Sequence, residues 1–416
     1  MVTNRLPSAL RLDRLAAVLN QYHRRVSLGL LIPLLAMCGC RRHGFPEYPT
    51  GYREFAYVSN TGSNTVSVLD LVNVRPDRVL QVGAEPSGIT ANPKRNEIYV
   101  VNSGSGTVAV INAETNQIVS TIGVHKLPYS IDVDHEGRLG YVANSGSNSV
   151  SVIDLARREQ IAVVGTGEQP GVARVSPDSR SLVVSNRGSG SVSIFEIAPF
   201  VADAAPAPPR LRAVFSGCPG ATDVAIPYAG KAYIACSSGH QLMVIGLADP
   251  RGAGKPDAFL ASDHLVAMLD VGHTPVHLAV KPDGGEIFVS NFDSNSVSEV
   301  STWTNEVGGT YLVGSRPTHG LVSGDNGSLW VSNFGGDAIT LYSIDDGRLV
   351  GGVRAGSGPD SIALSSDEHL LLVANYGSGD IAVIRTQGRN GPELFTMLAA
   401  GKHPAAIAIK SIAAGR

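Results

Sequence analysis

Leu139-Gly-Tyr-Val-Ala-Asn144, Ser145-Gly-Ser-Asn148 and Val150-Ser-Val-Ile-Asp154 follow one another along the chain. The first and third alternate with period two and are rich in β-formers, and the second is a Gly/Ser/Asn turn, so the stretch reads as a hairpin. Outward from it lie Pro128-Tyr-Ser-Ile-Asp-Val133 with a turn at His135-Glu-Gly137 on one side, and Ile161-Ala-Val-Val-Gly165 on the other. Four short antiparallel strands therefore fill one unit of about forty residues. The unit recurs. Its strand-ending Asn stands at Asn60, Asn102, Asn144, Asn186, Asn291, Asn333 and Asn375, with a step of 42 residues wherever no insertion intervenes, and a degenerate copy reads Tyr233-Ile-Ala-Cys236. A blade-opening proline repeats with it at Pro86, Pro128, Pro170, Pro219, Pro275, Pro317, Pro359 and Pro404. One such sheet cannot bury its own faces, so a fixed period in this range means stacked units in a propeller or solenoid.

The chain is expected to be all-β: a single β-propeller of eight four-stranded blades over residues 55–410, with seven blades as the alternative if the fifth unit does not insert. That unit nevertheless has four candidate strands, Ala221 to Pro227, Lys231 to Cys236, Gln241 to Leu247 and His264 to Val271. The chain enters at Ala56 with the second strand of a blade and ends on Pro404-Ala-Ala-Ile-Ala-Ile409, which supplies the missing first strand. Pairing the two ends would close the ring and remove an exposed edge. Insertions at Ala198 to Arg212 and Ala248 to Asp263 fall between third and fourth strands.

Tyr-Val-x-Asn followed by Val-Ser-Val-Ile-Asp, with the Gly-x-x-Pro opening, resembles the YVTN β-propeller repeat family of surface and exported proteins. The resemblance covers about residues 55 to 410. Related propeller architectures include sugar lactonases, streptogramin lyases and propeller domains of nitrous oxide and nitrite reductases. No motif carries over from them residue by residue.

The N-terminus reads as an export signal. Basic residues ending in Arg24-Arg25 precede an apolar run, Val26 to Met37, too short for a comfortable permanent span. It closes on Leu35-Ala36-Met37-Cys38-Gly39-Cys40, which resembles a bacterial lipobox. Cys40 follows the small Gly39 and is the favoured lipidation site; Cys38 has the better Leu-Ala upstream and is the alternative, and an ordinary signal peptide is the competing reading. The expected organisation is a lipoprotein-type signal peptide (1–40), a tether (41–54), the propeller, and a C-terminal tail (411–416). The chain would be exported and anchored by lipid in the cell envelope, on the periplasmic or outer-membrane side. Without the five Arg and one Asp of residues 1–40, the rest holds 28 basic and 35 acidic residues, which argues against nucleic acid as a partner. Two cysteines remain, Cys218 and Cys236. Cys218 lies about two residues beyond ideal register with Cys236, so a disulfide needs a bulge and stays open.

No nucleophile elbow, His-Glu-x-x-His, Cys-x-x-Cys-His or phosphate loop is present. Asp132-Val-Asp-His-Glu136-Gly137 looks like part of a calcium loop, but Ala143 stands where the last carboxylate belongs, so it reads as a hairpin turn. Internal asymmetry is more informative. Two residues after the opening proline the blades carry Gly88, Ser130, Val172, an unaligned fifth position, then His277, His319, Ser361 and Ala406. Immediately after the strand-ending Asn, three consecutive blades carry Phe292, Phe334 and Tyr376 on otherwise polar turns. With Arg316, Asp360 and His403 these residues predict a ligand site on one arc of one face.

The leading reading is a non-catalytic envelope module that presents a propeller face to a glycan, peptide or envelope protein. The alternative is a lactonase- or lyase-like enzyme or a redox accessory, with His277 and His319 as acid/base groups, Asp360 orienting and Arg316 clamping an anion. No cofactor and no metal are predicted.

Overall fold

The computed structural model describes residues 46–198, 207–228, 230–248, 262–388 and 391–413. The signal peptide with Cys38 and Cys40, and most of both insertions, lie outside the described residues. Thirty-two strands, β1 (Arg53–Asn60) to β32 (Pro404–Ile412), form eight four-stranded antiparallel sheets, so the eight-bladed count holds and the seven-bladed alternative falls. The fifth unit inserts as a full blade, with β16 (Ala221–Tyr228), β17 (Lys231–Cys236), β18 (Gln241–Gly246) and β19 (His264–Asp270). The blade that contains both ends pairs β1 with β32 from Arg53↔Ile412 to Asn60↔Pro404. Strand pairing thus begins at Arg53 and runs to Ile412. Glu54 is buried at the start of β1 because its carboxylate accepts the Ser366 N–H of the preceding blade at 2.6 Å.

The repeated residues have physical jobs. The strand-ending Asn is buried, and in four blades (Asn60, Asn144, Asn186 and Asn291) it donates its Nδ2 to hydroxyls five and seven residues on: Asn60 to Thr65 and Ser67 at 3.0 Å, Asn186 to Ser191 at 3.1 Å and Ser193 at 2.9 Å. The Ser of Val-Ser-Val is therefore the hydrogen-bond partner that lets an Asn sit in the core. The turn between them ends on a left-handed residue, Asn64, Asn148 and Asn295 or Gly106, Gly190 and Gly379, where these types carry the least strain. Two of the buried Tyr hydroxyls latch blade to blade: Tyr57 donates to Asn116 Oδ1, and Tyr233 to Asn305 Oδ1 at 3.1 Å.

Hydrophobic cores lie between blades. Val150 and Val152 of the third blade pack with Leu182, Val184 and Phe195 of the fourth. Ala225 and Tyr233 of the fifth pack with Ile287 and Val289 of the sixth. Every blade has a bulge between its third and outermost strands, at positions such as Val152/Ile153 and Val244/Ile245. This kinks the exposed edge away from straight pairing with another chain.

Blade five replaces the Asn itself. Cys236 occupies the Asn position and is bridged to Cys218, with Cα atoms 4.8 Å apart. Two register shifts in β16, between Ala221 and Val224 and between Ala225 and Tyr228, provide the bulge that the register argument required. The partner of Cys236 in the ladder is Ala221, where the other blades have Pro opposite Asn. The blade therefore opens at Ala221, two residues later than Pro219.

Candidate functional site

The innermost strand of each blade lines the tunnel, and just after its first residue it shifts register against the second strand in all eight blades. A bulge there re-aims the first few side chains. Six consecutive blades place charged or imidazole groups on this wall. Asp132 lies on β8 (Pro128–Val133), Arg174 on β12 (Pro170–Val175), Asp223 on β16, His277 on β20 (Pro275–Val280), His319 on β24 (Pro317–Val322) and Asp360 on β28 (Pro359–Leu364).

Five of these six side chains meet the following blade, and Asp360 receives His319 of the preceding one. Asp132 Oδ2 accepts the Val175 N–H at 2.8 Å, and its Oδ1 is 3.6 Å from the Arg174 guanidinium. Arg174 donates to the Val224 carbonyl, and Asp223 Oδ2 accepts the Leu278 N–H at 3.0 Å. His277 Nδ1 accepts the Gly320 N–H at 3.3 Å, and His319 Nδ1 lies 3.1 Å from Asp360 Oδ1. An innermost strand has an unpaired edge, and Asp132, Asp223 and His277 each satisfy one of its N–H groups from the neighbouring blade.

The bonds fix both imidazoles. Because His277 Nδ1 accepts a backbone N–H, its neutral ring carries the proton on Nε2, 4.0 Å from Asp223 Oδ2. His319 donates from Nδ1 to Asp360, and its Nε2 meets no hydrogen-bond partner among the described residues. The rings are tilted with centroids 4.5 Å apart, and both side chains keep tunnel exposure, 26% for His277 and 35% for His319.

Their charges are pushed apart. Burial, then the neighbouring His319, pushes His277 down to about 4 against the pull of Asp223. Burial also disfavours the His319 cation, but the hydrogen bond to Asp360 and its charge more than offset this and raise it. Asp360, although buried, is held below the usual carboxylate range by His319, Thr318 and His277.

The consequences for stability have opposite signs. The raised His319 stabilises the fold fully below the ordinary imidazole range and loses that contribution as pH rises through its folded value; the depressed Asp360 loses its contribution only as pH falls through its own. The depressed His277 must stay neutral while the unfolded imidazole takes up a proton, which costs about 2 kcal/mol by about pH 5. Urea unfolding at about pH 7 and pH 5 should therefore show His277→Gln losing about 2 kcal/mol less than wild type over that interval. Equal losses would show that His277 titrates normally.

The aromatic trio sits on the rim of the mouth and packs between blades. The Arg316 guanidinium lies 5.6 Å from the Phe292 ring centre. Phe334 covers Gly358 of the next blade, a residue at φ 62° where a Cβ would come within 3.2 Å of the ring. Tyr376 stacks on His403 at 4.6 Å and 10°, with Phe334 6.4 Å away. All three rings are half-buried. The structure thus joins Asp360 to His319 and His277 at the tunnel wall. It groups Phe292, Arg316, Phe334, Tyr376 and His403 separately on the rim of the same sector.

Sequence reasoning missed Asp223, Arg174 and Asp132. Asp223 stands two residues after Ala221 and fills the position equivalent to His277, but counting from Pro219 hides it. Alignment on the second strand, where Cys236 replaces Asn, would have found it. Arg174 and Asp132 lie four residues past their prolines, at a depth the repeat comparison did not sample. Among the described residues no group of three or more His, Cys, Asp or Glu is arranged to hold a metal ion.

The model of the YNCE-like beta-propeller family matches residues 44–172. No curated protein matches the chain. Among solved structures, the chain is similar to the dihydro-heme d1 dehydrogenase NirN in complex with DHE, at 16% identity and a TM-score of 0.68, covering 87% of this chain and 76% of that one. It is similar to apo AztD from Citrobacter koseri at 12% and 0.64, covering 88% and 99%. It is also similar to Kuenenia stuttgartiensis hydrazine synthase at 20% and 0.52, covering 79% and 92%. Identities this low carry the fold alone.

Proposed function

We propose that this chain is a non-catalytic binding module of the cell envelope that takes the hydroxyl-bearing end of a glycan at the His277–His319 edge of its tunnel mouth. One observation carries the reading: both imidazoles are oriented through Nδ1 by the blade that follows, while their Nε2 atoms remain for a ligand. His277 offers an N–H donor, and neutral His319 offers an acceptor backed by Asp360. A sugar hydroxyl both donates and accepts, so it fits this pair better than an ion of either sign. Phe334 and Tyr376, half-buried on the nearby rim, add apolar surface of the kind sugars stack on.

Export and lipid attachment at Cys40, with Cys38 as alternative, belong to the same reading. The basic-apolar N-terminus supports them, as does a disulfide that persists in oxidising compartments. The His319–Asp360 pair also favours a second reading, an enzyme in which an oriented imidazole moves a proton.

A glycan array probed with wild type and His319→Ala tests the proposal. Wild type should retain a defined subset of glycans, and the variant should lose at least about tenfold in signal on that subset. Retention of none, or equal retention by both proteins, would overturn it. Glycans recovered chemically altered would move the site to the enzyme reading.

A further inference from the structure

Across the mouth from the imidazoles, three neighbouring blades build a second surface that uses no residue of the site above. Leu127, the residue before Pro128, is 53% exposed and left-handed at φ 47°. The equivalent residues before the opening position are Glu85, Gln169, Gly220, Thr274, Arg316, Gly358 and His403, so no other blade puts a large aliphatic side chain there. Bulky residues adopt this conformation only where the surroundings impose it. Here both the backbone N–H and the hydroxyl of Ser145 hold the Leu127 carbonyl, at 2.9 and 2.8 Å, and the side chain lies over Gly146.

Tyr129, two residues on, is 44% exposed, and other blades carry no aromatic residue at that position. The Arg187 guanidinium of the next blade sits 5.3 Å from its ring centre. Beside Leu127 a groove of about 530 Å³ opens between the Ser103–Gly106 turn of the second blade and residues 124–127 of the third. His125 and Lys126 are exposed on its wall.

Neither Lys126 nor Arg187 makes an ion pair among the described residues. Of the two acids of this sector, Glu85 lays its carboxylate over Gly104 on the second-blade wall of the groove, and the Glu168 side chain lies over Gly188 of the fourth blade. Exposed Tyr129 and Arg187 beside the groove, with two cations that make no ion pair, match the residue types that dominate binding hot spots, and Leu127 adds apolar surface between them. We infer that this groove docks an extended peptide that places a carboxylate between Lys126 and Arg187 and an adjacent aliphatic side chain on Leu127 and Tyr129. The exposed Tyr129 and Arg187 continue the surface beyond the groove, and the carboxylate supplies the charge partner that both cations lack.

Fluorescence anisotropy with labelled hexapeptides tests this. The probes are Gly-Leu-Asp-Leu-Asp-Gly amide, the same peptide with Lys for Asp, and Gly-Leu-Ser-Leu-Ser-Gly with a free C-terminus. The acidic amide should bind wild type at least about tenfold more tightly than the lysine peptide. Lys126→Glu, Arg187→Glu and Tyr129→Ala should each weaken it by about tenfold or more, with unchanged thermal unfolding because all three side chains reach solvent. Tighter binding of the free-C-terminus peptide would place a terminal carboxylate in the groove and support the inference with that source. No preference over the lysine peptide, or variants that bind like wild type, would overturn it.

Discussion

Deletion of residues 404–416 should abolish cooperative unfolding of the propeller. The deletion removes β32, which pairs with β1 over nearly its whole length and carries the buried Ala408 and Ile412. It also removes the Lys410 ammonium that donates to the Asn92 carbonyl of the second blade at 2.7 Å, and the segment's share of the tunnel wall. At roughly 1 kcal/mol net for each hydrogen bond, loss of this ladder is comparable with the whole stability of a typical domain, about 5–15 kcal/mol. The β1 edge would then be open to pairing with a second chain. The measurement is a thermal melt followed by circular dichroism, with size-exclusion chromatography of the same sample. The truncated chain should melt without a sharp transition or elute as aggregate. A cooperative transition within about 5 °C of wild type would show that the ring holds without its terminal strand.

The second large effect belongs to blade five. Its Cys218–Cys236 bridge replaces the Asn that anchors the corresponding turn in the other blades, and Gln241 and Met243 stand where four of those blades carry a pair of hydroxyl residues. Loss of the bridge therefore leaves the turn without either device. With a sequence separation of 18 residues, the loop-entropy contribution alone is about 3 kcal/mol. Cys218→Ala/Cys236→Ala should lower stability by about that amount, a drop of roughly 5 °C in melting temperature, and reductant should bring wild type to the same value. A change below about 1 kcal/mol, or indifference to reductant, would contradict the assignment. Because the bridge closes beside Ala221 at the start of β16, the double variant should also disturb Asp223 and, through it, His277.

Most of the fold was legible because the repeat writes the same physics many times. Asn144 with Ser149 and Ser151, the buried Tyr141 ring on the strand that ends at Asn144, and the left-handed Asn148 each meet a local demand of one hairpin, and recurrence turns a local reading into a ring. Closure was legible for a related reason: three strands of one blade near the N-terminal end and the fourth near the C-terminal end leave two edges that fit one another. The disulfide was not settled by sequence because it depends on bulges, and a bulge is a backbone adjustment with no residue signature of its own. The tunnel wall was half legible. His277 and His319 stood out against Gly88 and Ala406, and Asp360 followed as a neighbour. Asp223 was hidden by a two-residue slip of the opening proline, and Arg174 and Asp132 act at a depth where a period alone does not say which blade they face. The aromatic trio was visible as an asymmetry, but its packing on Arg316, Gly358 and His403 required knowing which blade lies next.

The proposal that the imidazole edge of the mouth is the binding site is tested most directly by ring 15N spectra of histidine-labelled protein, with and without a glycan retained on the array. Wild type should show His277 as the neutral Nε2–H tautomer and His319 protonated to a higher pH than a free imidazole, and saturating glycan should shift the Nε2 resonances of both. Asp360→Asn should remove the His319 shift. Spectra in which the glycan leaves His277 and His319 unmoved would contradict the account and place recognition elsewhere on the ring.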